Sequence, residues 1–152
     1  MQLNALVGAL FAVAASGTAV KSRDTVLYNI SGFTASCTPH SVQCGYGFRL
    51  VPSTDAPGSN GTICGNLVNG PDSLPPLPLT GCFENYAYAY SIALADGGII
   101  LTVTSALDAN TNITGSHTAT ADQFIFTPNG ISNSESYVGP TNFTIETTEV
   151  AV

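Results

Sequence analysis

The chain has 152 residues, with three Lys or Arg against ten Asp or Glu and a net charge of −7. That length fits one domain. So few basic side chains exclude a nucleic-acid partner and disfavour docking on anionic membranes, since both need several cations to meet phosphate groups.

Residues Leu3 to Ala15 (LNALVGALFAVAA) form an uncharged apolar run, followed by the small residues Ser16-Gly17-Thr18-Ala19. Such a run is too short to cross a bilayer but suits a secretory signal. Residues 1–19 are therefore expected to be a signal peptide. A further leader to residue 23 is a second option, because Lys21 and Arg23 would flank the cut. Residues 24–152 are then one secreted β domain, with no membrane anchor expected.

From residue 24 onward short blocks rich in Val, Ile, Thr, Tyr and Phe alternate with Gly, Pro, Asn and Asp. This is an all-β pattern. The expected fold is a compact antiparallel β-barrel or β-sandwich with two disulfides. The first predicted strand, Thr25–Ser36, contains Asn29, the first of four Asn-x-Ser/Thr glycosylation acceptors. It runs into FTASCTPHSVQC, where Cys37 and Cys44 flank His40. A zinc site built on Cys37, His40 and Cys44 is not favoured, because structural zinc prefers closely spaced pairs such as Cys-x-x-Cys. Gln43-Cys44-Gly45 superficially resembles a cysteine-protease stretch, but such a protease also needs a suitably placed His and Asn, usually on a longer chain.

Next come predicted strands Cys44–Val51 and Ile63–Leu67, with the acceptor Asn60 in the loop PSTDAPGSNGT between them. Cys64 and Cys82 complete a set of four cysteines, which allows three pairings. Cys37–Cys44 and Cys64–Cys82 are favoured: the first closes a short turn, the second the Pro-rich loop NGPDSLPPLPLTG.

Predicted strands Tyr86–Ala95 and Ile99–Ser105 surround Asp96-Gly97, a favoured two-residue hairpin turn. The turn dictates the register: Leu94 opposite Ile99, Ile92 opposite Leu101, Tyr90 opposite Val103. Those pairs share one apolar face, because side chains alternate. The other face, Ala93/Ile100, Ser91/Thr102 and Ala89/Thr104, is mostly small or hydroxylated. Tyr86, Tyr88 and Tyr90 form a stripe on this strand. It is expected to be core, with Tyr86 the exception; the alternative is a sugar-stacking face using Tyr86 and Tyr88.

The remaining predicted strands are Ile113–Ala121, Gln123–Thr127 and Asn142–Thr147, with the acceptors Asn112 and Asn142 at the starts of the first and last. His117 is expected to be exposed on a polar strand. Asp122, Glu135, Glu146 and Glu149 are expected to be surface or loop acids, leaving Glu84 as the one acid in the aromatic-rich centre. No Gly-x-Ser-x-Gly elbow and no phosphate loop occurs. No catalytic residues, cofactor or metal are therefore expected.

The block Phe33-x-Ala35-x-Cys37-x-Pro39-His40-Ser41-x-x-Cys44-x-Tyr46-x-Phe48, followed by two more cysteines and an aromatic-rich strand, resembles the fungal Alternaria major-allergen-like family. The similarity covers about Tyr28 to Val103. It implies an extracellular β-barrel or sandwich without known catalysis, of the type described as hypersensitive-response-inducing elicitors. The chain has no Trp and no fifth Cys, so a monomer or a non-covalent dimer is expected. The expected task is interaction at the host–fungus interface as an effector or elicitor with a role in virulence, with a host component or a small apolar ligand as partner. A structural or carbohydrate-binding cell-wall protein is the alternative, and a small secreted hydrolase the third.

Overall fold

The computed structural model describes residues 24–70, 73–130 and 132–152. The expected signal peptide and leader lie outside the described residues. Ten strands follow in chain order: β1 (Leu27–Cys37), β2 (Gln43–Pro52), β3 (Thr62–Asn69), β4 (Leu77–Gly81), β5 (Tyr88–Ala95), β6 (Gly98–Asp108), β7 (Thr111–Ala119), β8 (Phe124–Asn129), β9 (Ser132–Tyr137) and β10 (Phe143–Ala151). A single 3-10 turn, Ala121–Gln123, lies among them.

All strand pairings are antiparallel, in the order β3-β2-β1-β10-β7-β6-β5-β4. The two ends of this path, β3 and β4, come together because Cys64 of β3 is bonded to Cys82, the residue after β4. The sheet is thereby curled into a nearly closed barrel, the barrel form of the expected all-β fold. Closure removes most of the exposed edge that an open sheet presents to other chains. The Glu84 carboxylate adds to the seam by accepting the Ile63 backbone N–H at 3.2 Å.

Alternation places the core. On β2, Cys44, Tyr46, Phe48, Leu50 and Pro52 are buried, while the residues between them are less so. On β1 the buried set begins Tyr28, Ile30 and then slips by one to Phe33, Ala35, Cys37. The slip is a β-bulge: the register with β2 shifts between Ser31 and Thr34, and Gly32 sits at φ 62°. That left-handed conformation favours glycine. Beyond the bulge β1 changes partner. Its first half pairs with β10, whereas Ser36 pairs with Ser136 of β9, and β9 carries β8 on its other side. Phe33 fills the branch point. Its ring meets Tyr137 and Phe143 edge-on at centroid distances of 5.0 and 5.6 Å, and Phe48 at 6.3 Å. Aromatic edge contacts of this kind add to the area burial.

The β5–β6 hairpin has the register expected, from Ala95 opposite Gly98 to Ala89 opposite Thr104. Asp96 and Gly97 both have positive φ, 48° and 78°, as the two-residue turn requires. Tyr90, Ile92, Ile99, Leu101 and Val103 are buried as expected. Leu94 is not: it is 56% exposed, because the hairpin tip projects beyond the core.

Several expectations need correction. β4 and β9 fell in no predicted strand. β4 contains Pro78, and its register with β5 shifts between Leu77 and Thr80. An edge strand tolerates proline, since its outward N–H needs no ladder partner. β9 reads Ser-Asn-Ser-Glu-Ser-Tyr, which has no apolar alternation to announce it. Tyr86 lies in the turn before β5, so the tyrosine stripe begins at Tyr88. Glu135 is buried, not a surface acid. His117 is half-buried instead of exposed, stacked on Phe143 with centroids 3.8 Å apart.

Candidate functional site

The stapled turn of FTASCTPHSVQC is structural. Cys37 stands directly opposite Cys44 in the β1–β2 ladder, which brings the two sulfurs together. The turn between them is held by the Thr38 N–H donating to the Gln43 carbonyl at 2.9 Å. His40 adopts φ 58° there, a conformation His visits more readily than most residues. Among the described residues, no three His, Cys, Asp or Glu side chains group as a metal cage.

The seam bears the aromatic candidates. Tyr86 is 80% exposed and its ring lies over Gly81, where an added Cβ would come within 2.8 Å of Cδ1. Phe83, beside Gly65 across the seam, is 65% exposed. Tyr88 turns inward, with its ring edge-on to Tyr28 at 6.2 Å. Burial raises the pKa of both phenols. The exposed aromatic pair at the seam is therefore Phe83 with Tyr86, not Tyr86 with Tyr88.

The acceptor asparagines are spread over the surface. Asn60 is exposed in the loop before β3 and Asn112 is half-buried on β7. Asn29 and Asn142 are exposed and close together. The Asn29 Oδ1 accepts the Thr144 hydroxyl at 3.0 Å, and the Asn142 Oδ1 accepts the Gly32 N–H at 3.0 Å. In both, the bonded atom is the side-chain oxygen, not the nitrogen that a glycan would join.

Three concavities stand out. One, at the chain's first described residues, is lined by Asp24, Val26, Leu107 and Glu149. A shallow one crosses the bulge between Gly32, Phe48 and Arg49. The third, of about 310 Å³, lies where the β5–β6 tip meets β8 and β9, with Leu74, Leu94, Ile99, Phe126, Asp96 and Glu135 among its lining. Glu135 accepts the Leu74 N–H at 2.7 Å. Next to it, Tyr46 donates its hydroxyl to the Pro75 carbonyl at 2.7 Å. Burial, and then the nearby Glu135 carboxylate, raise the Tyr46 pKa above the ordinary tyrosine value. Sequence reasoning missed this pocket. Glu135 sits in a polar run, and nothing within that run signals burial.

His117 carries the clearest pH dependence. Its Nε2 is buried without a hydrogen-bond partner among the described residues, and burial lowers its pKa below 6.5. The unfolded chain therefore binds the proton more readily than the fold. Stability is fully present above about pH 6.5 and is lost as pH falls from there through the folded-state pKa. Between about pH 7.5 and pH 5 the Tm should fall more for the native protein than for His117→Phe. Identical pH profiles by scanning calorimetry would refute this role.

No protein-family profile matches the chain. No curated protein matches it. Two crystal structures of the Alternaria alternata major allergen Alt a 1 do match. One is 15% identical with a TM-score of 0.53, covering 84% of this chain and 96% of the allergen. The other is 17% identical with a TM-score of 0.53, covering 90% and 97%. At such identities the likeness is one of fold: the disulfide-tied antiparallel barrel of this chain resembles the fold of the Alternaria major allergen.

Proposed function

We propose that the protein is secreted, N-glycosylated, and acts by contact rather than catalysis, as an effector or elicitor recognised by host tissue. The observation that carries this is the allergen fold, spanning most of the chain and tied by two disulfides. Disulfides persist in oxidising, extracellular surroundings. The four sequons at Asn29, Asn60, Asn112 and Asn142 support the same compartment. Three side chains a hydrolase could draw on have contacts within the fold: Glu84 at the seam, Glu135 on the Leu74 N–H, and His117 stacked on Phe143.

The test is secretion from a yeast host with residues 1–23 in place, followed by infiltration of the purified protein into leaf tissue. The protein is expected in the medium, with a lower intact mass after glycosidase treatment and a tissue response that prior reduction abolishes. Absence of any response removes the elicitor role, and an unchanged mass removes the glycans. A wall-binding role is the second reading, favoured by the exposed Phe83 and Tyr86 beside the seam. It requires retention on chitin or glucan that Tyr86→Ala abolishes.

A further inference from the structure

The concavity at the β5–β6 tip combines features that point to a ligand. Leu74 and Ile99 form a buried apolar floor, while Leu94 and Phe126 stand at its rim, 56% and 59% exposed. Into this apolar setting come two carboxylates, Asp96 from the hairpin turn and Glu135 from β9. Glu135 is 7% exposed and its Oε2 accepts one backbone N–H. A buried carboxylate is unfavourable unless a cation or several donors compensate it. Arg49 is the sole Lys or Arg among the described residues. It donates to the Asn60 carbonyl and lines the separate concavity over the bulge. The described part of the chain therefore supplies no basic side chain opposite Glu135.

We infer that this pocket binds a small organic monocation with an apolar body. The cationic head lies against Glu135 and Asp96, and the body against Leu94, Ile99 and Phe126. The Phe126 ring adds a cation–π surface at the rim. A volume of about 310 Å³ is at the small end of ligand sites, which suits a single-ring amine and not a polymer. The net charge of −7 draws cations towards the whole molecule. A bare metal ion does not fit, because the described residues offer no cluster of three ligating side chains. This takes up the small apolar ligand expected as a partner from the sequence and changes its chemistry to an amphipathic cation. It does not depend on host recognition, so failed elicitation and failed binding are separate results.

The probes are 2-phenylethylammonium and its neutral isostere 2-phenylethanol, titrated into the isotope-labelled protein and followed by amide NMR. Saturable shifts are expected at Leu74, Asp96–Ile99 and Glu135, with the ammonium binding about tenfold more tightly than the alcohol. Glu135→Gln, which keeps the shape and the acceptor for Leu74, should erase that preference. Phe126→Ser should weaken both probes. Asp96→Asn preserves a favoured hairpin turn and serves as a second variant should Glu135→Gln melt early; it should lower ammonium affinity alone. Equal affinity for the two probes, shifts mapping elsewhere, no saturation, or a preference that survives both charge-removing variants would overturn the inference.

Discussion

Replacing Cys64 and Cys82 by Ala is expected to lower the Tm by about 10 °C, because the bond stabilises the barrel by about 3 kcal/mol for its 18-residue separation. The local consequence is sharper than the global one. β3 and β4 are the two ends of the strand order, and the bond lies where they meet. Close by, the Glu84 carboxylate also accepts the Ile63 N–H of β3. Hydrogen exchange should therefore accelerate first in Thr62–Asn69 and Leu77–Gly81, while β6 and β7 stay protected. The Cys37–Cys44 bond joins residues already opposite each other in a continuous ladder. Its removal should leave exchange at the seam unchanged. A double variant with an unaltered Tm, or with evenly raised exchange everywhere, would disprove the seam role.

Phe33→Ala is expected to destabilise by about 4 kcal/mol, the usual loss for emptying a buried Phe site. Phe33 is 1% exposed and touches rings from β2, β9 and β10's first residue. It therefore holds the branch at which β1 passes from β10 to β9. Urea unfolding should show the lowered midpoint, and Tyr137 should lose its packing environment. By contrast, Tyr86→Ala removes a larger ring from an exposed turn and should change stability by less than about 0.5 kcal/mol. If the two variants matched, the branch would not depend on Phe33.

The hairpin explains why part of this fold is legible in one dimension. Asp96-Gly97 selects the turn, the turn selects the pairing, and strict alternation selects the face. All three signals act over a few residues and agree. The disulfide pairing is nearly as local, since Cys37 and Cys44 close a short turn. The candidate site is another matter. The exposure of Tyr86 follows from the sequence, but the second exposed aromatic at the seam is Phe83, which the Cys64–Cys82 bond sets beside Gly65 of β3. Glu135 looked like one more polar residue in Asn-Ser-Glu-Ser, and its burial depends on Leu74, 61 positions away.

Eight of the ten strands, the β5–β6 register, the two cysteine pairs and the scarcity of cations were thus properties of the chain as written, because each rests on short-range periodicity, turn geometry or simple counting. The barrel seam, the branch of β1 between β10 and β9, the pairing of proline-bearing β4 and the carboxylate pocket came only with the folded arrangement. Each of these depends on which distant segments meet, and backbone hydrogen bonds join a polar or proline-broken strand as readily as an apolar one once its neighbours are in place.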